Sequence, residues 1–310
     1  MKIIFFGLGS IGNRHAKIMM DDSTHELIAF RSSEENQGNL LNIEEVYSWD
    51  EVRKIKPDIA FITNPTFLHV ETAIRCARLN MKLFVEKPIG SSLKNIDLLL
   101  EEVKKRKLVS YVAYNLRFHP VIFFLKEYLK NKKVLHVNIF NSSYLPDWRQ
   151  DRDYRKYYSV SKEKGGGVIL DLSHEFDYVE YLFGGIKSIK GDFGRAADIT
   201  EDAEDFMNAI VYTGDLCVNL HQNLFRFNRE RTIKIDCSDE FIFADLIAGE
   251  IKFIKEKLTN VKKFKCDSND TYKAQIKYFF DNIDNMMMMN NLWEAKSLFK
   301  KILKFKEKGI

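Results

Sequence analysis

Six residues near the start of the chain, Gly7-Leu8-Gly9-Ser10-Ile11-Gly12, have the types and spacing that bind a pyrophosphate. Glycine at the first position permits a tight turn, at the second lets the backbone approach a phosphate, and at the third lets a helix pack against a strand. Ser10 and Ile11 open that helix, whose first N–H groups and positive dipole end favour an anion. About 20 positions on, where a dinucleotide fold meets the adenosine ribose, the chain carries Arg31-Ser32-Ser33 in place of an acid. A cation and two hydroxyls suit a 2′-phosphate, which makes NADP(H) the favoured cofactor and NAD(H) the alternative. Glu34 and Glu35 follow and weigh against that reading, as does the plain alternative of a solvated loop.

The elements that must hold these residues alternate. Ile3–Phe6 is an apolar strand, Ile11, His15, Ile18 and Met19 share a helical spacing, and Glu26–Phe30 reads as a second strand. A short helix over 50–56 precedes a strand at Ile59–Ile62, which ends in Thr63-Asn64-Pro65-Thr66. Then come a helix over 67–79, a strand at 83–85 closing on Glu86-Lys87-Pro88, a helix over 93–107 and a strand over 109–113. Such alternation predicts an α/β Rossmann domain with a doubly wound parallel sheet, ligands lying at the carboxyl ends of its strands. Gly7, Arg31, Thr63 and Lys87 all stand at such ends.

After a helix over 121–129 the pattern changes to long strands, at 134–144, 186–193, 205–212, 216–224 and 231–236, with short turns such as Thr213-Gly214-Asp215. These predict an α+β domain built on a mostly antiparallel open sheet. The partition expected is 1–118 for the nucleotide domain and 119–310 for the second, which carries substrate and oligomer contacts. Two helices close the chain, around 272–283 and 292–303. Between the first long strand and the next helix, 146–167 is rich in charge and tyrosine and ends in three glycines. It reads as a wall or lid of the substrate pocket with the glycines as hinge. Trp148, Arg149, Tyr154, Arg155 and Tyr158 would contact a negatively charged sugar there, rings on the sugar face and guanidinium groups on phosphate or carboxylate. The bland alternative is a loop whose charges pair with one another.

GLGSIG, the T-N-P-T-x-x-H run from Thr63 to His69, Glu86-Lys87-Pro88 and the Asn115–Pro120 segment NLRFHP together resemble the glucose–fructose oxidoreductase/inositol dehydrogenase (Gfo/Idh/MocA) superfamily. The resemblance spans nearly the whole chain. It implies NAD(P)-dependent hydride transfer on a CH–OH group of a sugar or cyclitol. It also implies a cofactor site that includes Thr63, Asn64, Pro65, His69, Glu86 and Lys87, with the lysine near the nicotinamide and the reacting oxygen. A lysine ammonium there can assist loss of the alcohol proton. Gly165-Gly166-Gly167 followed by Asp171 matches the superfamily's G-G-G-x-x-x-D pattern, which implies catalytic roles for Asp171 and a histidine one turn on. Here His174 stands three residues on and Glu175 holds the commoner fourth place. Asp171 opens a helix that runs to Phe183-Gly184, so both share a helix face with it and either could handle the proton. Arg117 and Glu175 are further expected substrate contacts. The W-R…D-Y-R…G-G-G…D-L-S-H-E-x-D-Y run also resembles a branch associated with bacterial surface-sugar biosynthesis. Relatives that hydrolyse glycosides through transient oxidation, and regulatory proteins that bind the dinucleotide without turnover, are the alternative functions.

Composition limits the field. The chain has 310 residues, long enough for two domains, with 45% hydrophobic and 30% charged residues. Its net charge of +4 comes from 48 basic and 44 acidic residues, mixed along the chain, which argues against a nucleic-acid surface. Cys76, Cys217, Cys237 and Cys266 form no C-x-x-C pair, no apolar run approaches the roughly 20 residues that cross a bilayer, and no signal peptide is evident. The expectation is a cytoplasmic enzyme with a small-molecule sugar substrate and no metal, nucleic acid or membrane, self-associating through the second-domain sheet.

Overall fold

The computed structural model describes residues 1–21, 24–32, 39, 41–148 and 153–308. The chain forms two compact units, one of Met1–Tyr114 with Tyr272–Ser297 and one of Asn115–Thr271 with Leu298–Ile310.

The first unit is built on six parallel strands: β1 (Lys2–Phe6), β2 (Glu26–Phe30), β3 (Glu44–Val46), β4 (Ile59–Ile62), β5 (Lys82–Val85) and β6 (Ser110–Val112). Their spatial order is β3-β2-β1-β4-β5-β6, so the chain winds outward in both directions from between β1 and β4. Helices α1 (Ser10–Met20), α2 (Trp49–Ile55), α3 (His69–Arg78) and α4 (Ile96–Arg106) alternate with the strands. Strands β1 and β4 are buried along nearly their whole length, which is why they read as continuous apolar runs. Phe61 stacks on Phe84 with ring centroids 4.3 Å apart and lies 5.0 Å from Phe5. Each such fully buried ring contributes roughly 1.5–3 kcal/mol by leaving water.

The expected boundary differs from the observed one. The segment Tyr272–Ser297 belongs to the first unit, not the second. Its aromatic side chains explain this: Phe279 sits edge-on to Phe84 at 5.4 Å, and Phe280 stacks on His25 at 4.8 Å.

The second unit carries α5 (Pro120–Tyr128), β7 (Val134–Tyr144), α6 (Val168–Asp171), α7 (His174–Phe183), β8 (Ile186–Gly194), β9 (Phe206–Thr213), β10 (Leu216–Asn223), β11 (Phe225–Cys237), β12 (Phe241–Asp245), β13 (Glu250–Lys255) and β14 (Leu258–Lys263). The eight strands form one sheet, β14-β13-β12-β11-β7-β10-β9-β8, in which every neighbouring pair is antiparallel except β7 with β10. Val137, Ile139, Met207, Val211, Val218 and Ile233 alternate onto the buried face. Strands β12–β14 lie beyond the last strand read from the sequence. All of β14 is exposed, so no apolar face marks it. The closing helices are α8 (Asp270–Asp281) and α9 (Leu292–Lys308).

α5 begins at Pro120, and His119 caps it by accepting the Val121 N–H at Nδ1, 3.3 Å away. Burial, with Arg231 second, pushes the His119 pKa from 6.5 down to about 4. As pH falls from 6.5 toward 4, the unfolded chain takes up a proton at this histidine that the folded chain refuses. Stability contributed above 6.5 is therefore lost across that window, on the order of 2–3 kcal/mol. Urea midpoints measured at both ends of the window are expected to fall further for the parent protein than for His119→Asn, which caps but does not titrate. Equal falls would contradict the assignment.

Candidate active site

The glycine turn is fixed by close packing on β4. Gly7 has φ +104°, and a Cβ there would lie 2.8 Å from the Asn64 Cα. A Cβ on Gly12 would lie 2.1 Å from the Gly7 carbonyl oxygen and 2.8 Å from Thr63 Oγ1. Thr63 Oγ1 donates to the Gly7 carbonyl at 2.5 Å, tying the end of β4 to the turn. Asn13 Nδ2 donates to the carbonyls of Leu8 (2.6 Å) and Gly9 (3.1 Å), a tie the sequence reading missed. Gly9 differs from its neighbours: among the described residues, a Cβ there meets nothing within 4 Å. None of their atoms demands glycine at that point, and the exposed backbone is cleared of them for an incoming group. Gly9 caps α1 without any side-chain bond, and the helix's first turn holds no acid, so the amides after Ser10 remain oriented toward an anion. The residues present therefore fit a dinucleotide.

Beside the turn is a cavity of about 380 Å³ whose lining includes Gly7, Ser32, Trp49, Asn64, Pro65 and Thr72. It is open at the carboxyl ends of β1, β2 and β4, where the adenosine half of a dinucleotide lies. Trp49 stacks on Phe6 at 5.0 Å; nothing in its sequence spacing marked it. Arg31, next to Ser32, has Nη1 3.7 Å from Glu45 Oε1 and donates its backbone N–H to the Val46 carbonyl, so β3 holds it. Ser33 lies outside the described residues.

Glu86 and Lys87 follow β5. Glu86 is buried; its Oε1 accepts from His15 Nε2 at 2.7 Å, and its Oε2 accepts the Lys87 backbone N–H at 3.2 Å. Lys87 is half-buried. His69 bridges two loops, its Nδ1 2.9 Å from the Pro88 carbonyl and its Nε2 2.8 Å from the Asn64 carbonyl. Burial pushes its pKa down. Since both ring nitrogens face protein carbonyls, His69 braces the site; the expected direct cofactor contact has no ring nitrogen left to make it.

The second unit positions the other expected residues. Asp171 is buried at the end of α6 and His174, partly exposed, opens α7. One continuous helix was expected; the chain instead tightens at Leu172 and Ser173, with 3.4 Å bonds from the Ser173 N–H to the Leu170 carbonyl and from the Glu175 N–H to the Leu172 carbonyl. Gln222 Nε2 donates to the Leu172 carbonyl at 2.7 Å, drawing it out of the helical ladder. Asp171 and His174 therefore stand on two successive helices joined by a tightened turn.

Glu175 is fully buried, accepting from Arg231 Nε at 2.8 Å and from Gln222 Nε2 at 3.1 Å. A carboxylate desolvated this far needs both bonds, for losing one partner typically costs about 3–5 kcal/mol. It holds the fold together and is not placed to exchange protons or meet substrate, which leaves His174 as the acid/base candidate. Arg117 likewise is spoken for: its Nε and Nη2 bind the buried Asp177 at 3.0 and 2.7 Å, and its guanidinium lies over Tyr181. The expected substrate contact is replaced by a buried ion pair.

In the loop from 146, Arg155 is exposed and forks onto Asp153 at 2.9 and 3.0 Å, the self-paired arrangement. Trp148 donates from Nε1 to Ser143 Oγ at 3.0 Å, and Tyr154 and Tyr158 are partly exposed. Arg149 lies outside the described residues. A Cβ on Gly166 would lie 2.4 Å from the Tyr158 carbonyl oxygen, and Gly167 has φ +102°. Gly166 is glycine because the backbone passes close to it, and Gly167 because the chain there takes a left-handed conformation.

A glycine-cradled turn on a doubly wound sheet, continued by a mostly antiparallel sheet, defines a Rossmann-type dinucleotide-binding protein of two units. The chain belongs to the Gfo/Idh/MocA family: residues 1–114 match its "Oxidoreductase family, NAD-binding Rossmann fold" and residues 124–242 its C-terminal domain. It is 26% identical over 219 residues to myo-inositol 2-dehydrogenase of Thermotoga maritima, covering 64% of this chain and 62% of that enzyme. It is 28% identical over 137 residues to levoglucosan dehydrogenase of Pseudarthrobacter phenanthrenivorans, covering 43% and 35%. The chain thus spans less than two thirds of the length of these curated relatives. Among solved structures, UDP-N-acetylglucosamine 3-dehydrogenase of Acidithiobacillus ferrooxidans has a similar fold, with TM-score 0.83 at 18% identity over 100% of this chain and 97% of that one. Among the described residues no helix is long and apolar enough to cross a membrane, and no cluster of His, Cys, Asp and Glu is placed to hold a metal ion.

Gly9 and Gly12 give separable effects. Gly12→Ala is expected to lower the melting temperature, since the Gly7 carbonyl must move. Gly9→Ala should melt as the parent does yet bind NADPH or NADH about tenfold more weakly or worse in a fluorescence titration. Unchanged affinity in Gly9→Ala would mean the turn does not carry the pyrophosphate.

Proposed function

We propose that this chain is a nicotinamide-dependent oxidoreductase acting on a CH–OH group of a sugar or sugar derivative. The observation that carries this reading is the cleared Gly9 backbone, on a turn that Thr63 ties at Gly7, in the same sheet whose β5 end presents Lys87. When bound, the nicotinamide supplies a hydride acceptor or donor. The chain's own work is then to move one proton: as the substrate C–H bond breaks in oxidation, the hydroxyl proton must leave, and in reduction one must arrive. We assign that proton to Lys87 and His174, with Asp171 as the orienting carboxylate.

NADP(H) is the proposed preference, because Arg31 at the end of β2 offers a guanidinium to a 2′-phosphate while Glu45 fixes its direction. The relatives' names, an inositol, an anhydrosugar and a nucleotide-linked amino sugar, support a polyhydroxylated substrate. The tyrosines and Trp148 of the loop from 146 offer ring faces to a sugar or a base, which favours a nucleotide-linked sugar, as surface-polysaccharide synthesis would use. Self-association is assigned to the open face of the second unit's sheet, where Asn138, Phe140, Asn208 and His221 line a shallow cavity of about 650 Å³.

A cofactor-absorbance screen against nucleotide sugars, uronic acids and cyclitols tests the activity. With the substrate it identifies, Lys87→Met and His174→Ala are each expected to cut turnover by about two orders of magnitude while cofactor affinity stays near the parent value. Near-parent turnover in both variants would remove the assignment.

A further inference from the structure

His15 has no place in the chemistry assigned so far, yet it is fully buried in the first unit. It stands on α1, the helix that starts at the glycine turn, and the rings of Phe61, Phe84 and Tyr272 surround it edge-on at 5.9, 5.2 and 5.6 Å. Its Nδ1 is buried with no hydrogen-bond partner among the described residues. The ring's useful proton therefore belongs on Nε2, which points at Glu86 Oε1, 2.7 Å away. The other oxygen of that carboxylate receives the backbone N–H of Lys87 itself. Glu86 is thus clamped between a helix anchored at the glycine turn and the peptide bond that starts Lys87.

We propose that His15 is a positioning residue for Lys87, acting through Glu86. The proposal rests on the assignment of Lys87 above, although its test does not need turnover. Three consequences of the geometry point the same way. The ring cage excludes water, so the His15–Glu86 bond is strong and directional. With one oxygen on His15 and the other on the Lys87 N–H, the carboxylate has little freedom to rotate, which fixes the backbone from which the Lys87 side chain departs. On the far side of Lys87, the Pro88 carbonyl is held by His69, so the lysine is braced on both flanks by α1 and α3. The negative charge kept on Glu86 also sits one residue from the lysine ammonium and favours its charged form. Among the described residues, the titratable and charged groups packed around this point include Glu86, Lys87, His15, His69 and Tyr272, with Arg14 over the Tyr272 ring.

Removing the His15 donor leaves Glu86 as a buried carboxylate short of a charge-assisted bond. Released at one oxygen, that carboxylate is free to turn away from the Lys87 backbone. Lys87 then loses its neighbouring negative charge and its titration midpoint falls. The experiment is competitive labelling of the full chain with acetic anhydride across the lysine titration range, read by mass spectrometry at the Lys87 peptide, with exposed Lys104 on α4 as internal control. His15→Leu is expected to lower the Lys87 midpoint by about half a unit or more. His15→Gln, whose amide can still donate to Glu86, should return it to the parent value, with Lys104 constant throughout. A purely structural His15 would lower the melting temperature and leave the Lys87 midpoint where it was, and that result overturns the proposal. If His15→Leu does not fold, His15→Asn, too short to reach Glu86, replaces it under the same two outcomes. Because labelling needs no substrate, a failure here is distinct from a failure of Lys87→Met to lose turnover.

Discussion

The narrowest point in the first unit governs what the rest can do. Where α1 leaves the glycine turn, the space for a Cβ on Gly12 is already taken by the Gly7 carbonyl, and that carbonyl in turn accepts from Thr63. Three strand-end segments are thereby locked together: the turn after β1, the Thr63–Pro65 run after β4 and, through His15 and His69, the Glu86–Pro88 run after β5. Apart from the caged His15–Glu86 bond, each of these bonds contributes only about 1 kcal/mol net. Their value lies in preorganisation. A cofactor that binds such a surface meets amides already aimed and a lysine already braced, so less of its binding free energy goes into ordering the protein.

The second unit solves a different problem, that of burying charge. Glu175 with Arg231, Asp177 with Arg117 and Glu204 with Lys306 each put a carboxylate out of water against a fixed cation. Such pairs add little stability over an apolar core of equal volume, but breaking one is costly, so they fix the register of α7 and α9 on the rest of the unit. The same demand shapes the break between α6 and α7, where Gln222 draws the Leu172 carbonyl from its helix. The turn sets Asp171 and His174 on two separate helices, their relative direction set by β10.

The legibility of the sequence follows from the range of the interactions. Strands β1, β2 and β4 and the glycine turn depend on neighbours a few residues away, and their spacing is visible in the chain. The parallel sheet follows from the alternation of these elements. Glu175 and Arg117 were misread because their partners lie 56 and 60 residues along the chain, and an ionisable residue beside a motif looks the same whether it faces a ligand or an ion-pair partner. The close packing at Gly166 stayed hidden for a related reason: a glycine spared for close chain crossing and a glycine spared for motion are identical letters. The boundary slipped because α8 returns to the first unit through aromatic contacts that no local pattern announces. His15 was read only as part of the first helix's spacing, because a lone histidine on an apolar helix face is most often core.

The central claim is that three strand ends in the first unit form one preorganised dinucleotide surface. Amide hydrogen–deuterium exchange of the full chain, with and without saturating NADPH and then NADH, examines it without knowledge of the substrate. Slowed exchange is expected in the peptides carrying Gly7–Gly12, Thr63–His69 and Glu86–Pro88 together, with Arg31 more protected by NADPH than by NADH. Protection confined to other segments, or no protection by either dinucleotide, would contradict the account.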